Sequence, residues 1–141
     1  MSLRKALTFF FVFAAALLIA APGVDAKSSR IEKRISLAAT SAGQTIDASG
    51  HARYRVRGDR QDLTIEVEAR VKTGTKFTVW VTNGGNTVKA RTIKITSLGE
   101  GEIELKNYDG KRLPAGVAPV SSITTVTVKD SKGNVIVSGT F

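Results

Sequence analysis

The sequence predicts an all-β domain, an antiparallel immunoglobulin-like β-sandwich of about eight strands, on three observations. Beyond residue 26, Val, Ile and Thr total 35 while Leu occurs five times, and stiff β-branched side chains suit a pleated surface better than a helix. Apolar and polar residues alternate with period two over much of that length. Short stretches of Gly, Asn, Asp and Ser separate the alternating runs. Strands this short at this spacing fit two packed antiparallel layers, with a small β-barrel as the alternative.

The first 26 residues read differently. "MSLRK" supplies Arg4 and Lys5, an apolar run follows from Ala6 to Ala21, and "PGVDA" closes the segment with small residues at Val24 and Ala26. These are the parts of a signal peptide, with cleavage expected after Ala26 and a secreted or periplasmic destination. A membrane anchor is the rival reading, but 16 apolar residues fall short of the roughly 20 that a spanning helix needs. No transmembrane segment is therefore expected in the mature chain. The sequence contains no cysteine, so one hydrophobic core must hold the fold without disulfides.

Residues 1–26 carry two Lys/Arg and one Asp, which leaves 19 basic against 11 acidic residues, a net charge of +8, over residues 27–141. That balance admits anionic partners such as cell-surface polymers, acidic lipids or nucleic acid, though no specific nucleic-acid motif is present. The expected organisation is a signal peptide at 1–26, a basic N-terminal arm and first strand at 27–49, and the remainder of a single domain at 50–141.

Strands are expected near 31–39, 50–57, 62–71, 76–82, 87–96, 102–107, 123–129 and 135–141. The arm "KSSRIEKR" holds Lys27, Arg30, Lys33 and Arg34; it reads as a patch for an anionic surface or as a frayed tail. "IEKRISLAA" allows a helix as well, since Ile31, Ile35 and Ala39 recur every four residues. In "DLTIEVEARV" Leu63, Ile65, Val67, Ala69 and Val71 share one face. Phe77, Val79 and Val81 do the same in "KFTVWVT". "TVKARTIKIT" changes parity between Ala90 and Ile93, which predicts a bulge near Arg91–Thr92. Ile103 with Leu105, and Val126 with Val128, repeat the inward scheme. The irregular piece Asn107–Ser122 is long for a compact domain, and long loops are more often functional than short ones.

"RYRVRGDRQDLTIEVE" folds naturally into a hairpin around Gly58–Gln61. The expected register sets Arg57 opposite Asp62, Arg55 opposite Thr64, Arg53 opposite Glu66 and His51 opposite Glu68, with Val56, Tyr54 and Ala52 meeting Leu63, Ile65 and Val67. The Arg57-Gly58-Asp59 tripeptide, a signal that integrins read, is then better explained as a bend.

Few residues suggest chemistry. His51 is the single histidine and has a carboxylate neighbour, so neither a metal site nor a Ser-His-Asp arrangement is expected. Glu102 and Glu104 would project from one strand face about 7 Å apart, a separation found in sugar hydrolases; the plainer reading is a solvated strand face. "DSKGN" and "TNGGN" read as turns. Trp80 lies out of parity with Phe77, Val79 and Val81. Burial of large aromatics favours a core position for it, whereas a solvent-facing indole would offer a sugar-stacking platform.

"GEGEIELKNYDGKRLP" followed by "TVTVKDSKGNVIVSGTF" resembles a module of small exported bacterial proteins, mostly uncharacterised, and "RYRVRGDRQDLTIEVE" is similar to its first hairpin. The likeness spans most of residues 50–141. It implies a compact β-sandwich outside the cytoplasm and brings no catalytic or binding residues with it. The expectation is a non-catalytic module, without metal or cofactor, that binds an anionic polysaccharide or other cell-envelope polymer through Arg53, Arg55, Arg57 and Trp80. A structural or adhesion module with protein partners is the alternative, and a glycoside hydrolase using Glu102 and Glu104 comes third.

Overall fold

The computed structural model describes residues 29–141, so the signal-peptide reading of residues 1–26 and the start of the basic arm lie outside it. Eight strands run β1 (Arg30–Ala39), β2 (Ser49–Arg57), β3 (Arg60–Glu68), β4 (Lys76–Asn83), β5 (Asn86–Lys94), β6 (Glu100–Lys106), β7 (Ile123–Lys129) and β8 (Val135–Thr140). Each lies within three residues of its expected bounds. The helical reading of "IEKRISLAA" gives way to strand β1, where Ile31, Ile35 and Ala39 share a face equally well at period two. A single helical turn, α1 (Ser41–Gln44), follows β1; Thr40 caps it by accepting from the Gly43 amide at 3.2 Å.

All pairings are antiparallel, in the order β5-β4-β7-β8-β1-β2-β3-β6. The two halves face each other as sandwich layers do, yet β1 belongs to both: Arg30–Leu37 pair with β2, and Ala38 and Ala39 pair with β8. The edge strands β5 and β6 are consecutive in the chain. Thr96 donates to the Glu100 carbonyl at 2.8 Å in the turn that joins them. The result is a nearly closed, barrel-shaped sheet, the all-β class with the barrel alternative.

The corner in β1 depends on close packing around Leu37. Gly50 on β2 and Gly139 on β8 flank it. A Cβ at Gly139 would stand 2.7 Å from the Ser36 carbonyl and 2.9 Å from Leu37 Cδ2, and one at Gly50 would stand 2.5 Å from the Glu66 carbonyl. Glycine at such corners lets backbones approach where a side chain would hold them apart. Inside, Ala52 and Tyr54 (β2), Leu63, Ile65 and Val67 (β3), Val79 and Val81 (β4), Ile103 and Leu105 (β6), and Val126 and Val128 (β7) form one core.

Bulges in β5 and β8 adjust the pattern, and a third register shift skips Thr124 of β7 where it pairs with β4. The β5 bulge sits at Ala90, since Val79 pairs with Arg91 and Trp80 with Lys89; this corrects the expected position by one residue and still leaves both Ala90 and Ile93 buried. In β8, Ile136 is the extra residue, and it and Val137 are both buried. The long loop Asn107–Ser122 closes one end of the barrel. Its Val117 and Val120 are fully buried, Asn83 Nδ2 donates to the carbonyls of Val117 and Pro119, and the Val120 amide donates to Gln61 Oε1 at 2.8 Å.

Gly139→Ala is expected to lower stability by about 1–3 kcal/mol, the usual cost of forcing atoms into a filled space. The urea midpoint measures it; an unchanged midpoint would mean that the corner can relax without cost.

Candidate functional site

The hairpin β2–β3 turns in two residues, not four. Gly58 has φ 60° and takes the first central position, where tight hairpins prefer glycine. The register is therefore two residues from the expected one: Arg57 pairs with Arg60, Arg55 with Asp62, Arg53 with Thr64 and His51 with Glu66. Because the error is an even number of residues, every side chain keeps its expected face. The pairings expected at Arg57–Asp62 and His51–Glu68 are replaced by an ion pair at Arg55–Asp62 (3.0 Å) and a contact of His51 Nε2 with Glu66 Oε2 (3.3 Å). Gly58 and Asp59 form the bend, and the Asp59 carbonyl accepts from Asn107 Nδ2 at 2.8 Å.

Arg53, Arg55 and Arg57 thus share the outer face of β2. Strand β1 adds to them: Arg30 lies beside Arg57, and Arg34 beside Arg53. Arg30 and Arg34 are part of a paired strand, which corrects the frayed-tail reading of the arm. Three Arg–Arg lateral neighbours follow, Arg30–Arg57, Arg57–Arg60 and Arg34–Arg53. Like charges placed directly opposite destabilise a sheet. Of these five arginines, only Arg30 makes an ion pair among the described residues, with Glu32 at 3.1 Å.

Arg55 is different. Its Nε donates to both oxygens of Asp62, at 3.0 and 3.2 Å, and the Tyr108 hydroxyl donates to Asp62 Oδ2 at 3.0 Å. Asp62 is only 5% exposed although it points outward, because Arg55 and Tyr108 cover it. Hydrogen bonding to Asp62 pushes the Arg55 pKa up. Burial, and then the hydrogen bond to Asp62, push the Tyr108 pKa up. Lys106 and Arg60 lie 5.1 and 5.6 Å from the Tyr108 ring centroid, within cation–π range. Arg55, Arg57, Arg60, Asp62 and Tyr108 together line a hollow at the hairpin tip. The expected list lacked Arg60 and Tyr108. Arg60 was hidden by the longer expected turn, while Tyr108 arrives from the long loop, whose length was its only signal.

Trp80 is not brought to this face. It lies on β4, separated from β2 by β7, β8 and β1 in the sheet. The favoured core placement is corrected: Trp80 is half-buried on the outer face, where a barrel has no second layer to cover it. Its Nε1 donates to Thr78 Oγ1 at 3.0 Å, and Lys129 Nζ sits 4.6 Å from the ring centroid. The ammonium occupies ring surface that a stacked sugar would need.

Glu102 and Glu104 do project from one face of β6, as expected, but they turn to different partners. Glu104 pairs with Lys106 at 3.4 Å, while Glu102 lies opposite Glu66. Partial burial and the neighbouring Glu66 charge push the Glu102 pKa up. The hollow beside Glu102 is lined by Glu66, Glu68, Glu100 and Leu98, and not by Glu104. At Asp130–Asn134, Asp130 Oδ1 accepts from the amides of Lys132 and Asn134, both at 2.9 Å, which accounts for the loop as a turn. No group of three or more His, Cys, Asp or Glu among the described residues is arranged to hold a metal ion, and no described helix is long and apolar enough to cross a membrane. No protein-family model matches the chain, and no curated protein matches it.

The raised Tyr108 pKa has a sign. A neutral phenol favoured by the fold contributes stability that is fully present below the unfolded value, about pH 10, and is lost as pH rises through the folded value. Tyr108→Phe is expected to cost about 1–2 kcal/mol at pH 7 by leaving Asp62 short of a donor. Urea midpoints measured from about pH 9 to 11 should fall more steeply for the unmodified protein than for the variant; parallel curves would remove Tyr108 as the source.

Proposed function

We propose that this chain is a non-catalytic, exported module that binds an anionic cell-envelope polymer along the outer face of β1, β2 and the tip of β3. Export rests on the charged-apolar-small pattern of residues 1–26. The observation that carries the binding reading is the set of lateral neighbours Arg30–Arg57, Arg57–Arg60 and Arg34–Arg53. Each opposed like-charge pair works against the sheet by a few tenths of a kcal/mol to about 1. An anionic chain laid across them removes that repulsion and gives each guanidinium its geometric complement, a planar or tetrahedral oxyanion.

Charge also sets the direction of such a chain. Glu100, Glu102 and Glu104 stand along β6 at the far side of the same face, so a polyanion favours the run of β2 over a path across the sheet. Arg53 to Arg57 spans about 13 Å at strand rise. Arg57, Arg53, Arg34, Arg30 and Arg60 supply the contacts, while Arg55 holds Asp62 and shapes the surface. Trp80, with Lys129 over its ring, is better read as a surface pair than as a sugar platform.

A structural or adhesion module with a protein partner is the second reading, favoured by Leu98, which is 82% exposed in the turn after β5. Such a partner would engage apolar surface at that turn and leave the arginines indifferent.

Binding to alginate, an acidic polysaccharide, and to neutral dextran separates these. Alginate is expected to bind with an affinity that falls as salt is raised, and dextran is not. The double variant Arg57→Ala, Arg60→Ala should weaken alginate binding at least tenfold. Equal binding of both polymers, or an unaffected double variant, overturns the reading.

A further inference from the structure

Two buried side-chain polar atoms among the described residues have no hydrogen-bond partner, Arg53 Nε and Thr64 Oγ1. They belong to residues that face each other across β2 and β3. Both residues line one small notch of about 30 Å³, together with Arg34, His51, Ala52 and Glu66. That volume has room for one or two water-sized oxygen atoms. A buried donor left without an acceptor costs about 1–3 kcal/mol. The two orphans therefore mark a place where an outside oxygen completes the structure.

The nature of that oxygen follows from its surroundings. Arg53 Nε is a donor only, and the Thr64 hydroxyl can donate as well. Arg34 lies beside Arg53, and neither guanidinium makes an ion pair among the described residues. Glu66, which also lines the notch, turns its Oε2 toward His51 Nε2 at 3.3 Å. A neutral water satisfies the donors but leaves the neighbouring Arg34 and Arg53 without a direct ion-pair partner. An oxyanion does both, since one oxygen can enter the notch while its others meet Arg34 at the more exposed rim.

We propose that the Arg34–Arg53–Thr64 notch is a binding site for one oxyanion group, a carboxylate, sulfate or phosphate. The group is either free or a substituent of the polymer above, and its polymer-borne form rests on the polyanion reading. Arg53 Nε and Thr64 Oγ1 hold the inserted oxygen. Arg34 holds the outer ones. Arg57 and Arg60, at the hairpin tip, take no part in it.

The test is a titration of the ¹⁵N-labelled protein with inorganic phosphate, sulfate, glucuronate and alginate, at constant ionic strength held by sodium chloride. Saturable shifts of the Arg53 Nε–Hε resonance and the Thr64 amide are expected; those produced by the small anions are unchanged in the double variant Arg57→Ala, Arg60→Ala, which weakens the response to alginate alone. Arg53→Lys keeps the charge but loses Nε and should weaken the small anion at least tenfold; Thr64→Val should weaken it by a smaller factor with the charge intact. Response to the small anions without alginate binding supports a site for a free oxyanion and removes the polymer reading. Alginate binding that leaves Arg53 Nε–Hε unmoved, with no saturable response to any small anion, overturns the notch and leaves the polymer reading standing. Small linear shifts spread over the whole basic face, equal in Arg53→Lys, also overturn it, because they report screening alone. An Arg53 Nε–Hε signal with a cross-peak to bound water and no response to any anion assigns the notch to water and overturns it too.

Discussion

The constraint on which the rest depends is the corner at Leu37, where β1 leaves its pairing with β2 and takes up pairing with β8. Gly50 and Gly139 allow the two neighbouring backbones to close on Leu37 from either side. Because one strand serves both halves, the sheet curls on itself and encloses its apolar faces in one core. Closure then decides which side of every strand meets water. Ala52 and Tyr54 must point inward, so Arg53, Arg55 and Arg57 must point outward. With the inward face buried, a one-residue slip would bring arginines into the core. The basic face is thus a geometric consequence of how the barrel closes.

What that face does with its charge is uneven. Near the tip, Arg55, Asp62 and Tyr108 satisfy one another, and Asp62 tolerates burial because it accepts hydrogen bonds from both neighbours. A charged pair of this kind is worth more for fixing the loop than for net stability, since desolvation offsets most of the attraction. Along β1 and β2 the arginines instead face one another. Sheet energetics alone would favour mixed signs, as happens at Arg55–Asp62. Departures from local consistency tend to collect where a protein binds something. Arg34, Arg53 and Arg57 break the rule, and Arg53 adds an orphaned donor in the same stretch.

The sequence carried the strands, their faces and the basic face of β2, because period-two alternation is local and each inward residue can be read from its neighbours. It carried the hairpin register less well. The length of the turn hinges on Gly58 taking a left-handed conformation alone, and "RGDRQ" is compatible with two or four turn residues. The even error preserved the faces but hid the Arg57–Arg60 pair. Trp80 was ambiguous for a different reason: alternation shows that it opposes Val79 and Val81, not whether another layer covers it. Tyr108 lies 46 residues from the Asp62 it covers, and no local pattern reports a contact at that distance.

The long loop gives this distant contact a structural purpose. Asn107 grips the hairpin tip by donating to the Asp59 carbonyl and accepting from the Gln61 amide at 2.7 Å. Tyr108 then covers Asp62, while Val117 and Val120 seal the barrel end. The same segment that completes the core therefore also holds the tip on which Arg57 and Arg60 stand. A two-residue turn by itself leaves a hairpin end free to fray, and frayed arginines would relieve their repulsion simply by moving apart. Tying the tip to a loop anchored in the core keeps them adjacent, so the repulsion between them persists. Rigidity of this kind would favour the proposed binding, because the ordering of the cationic side would be settled in advance.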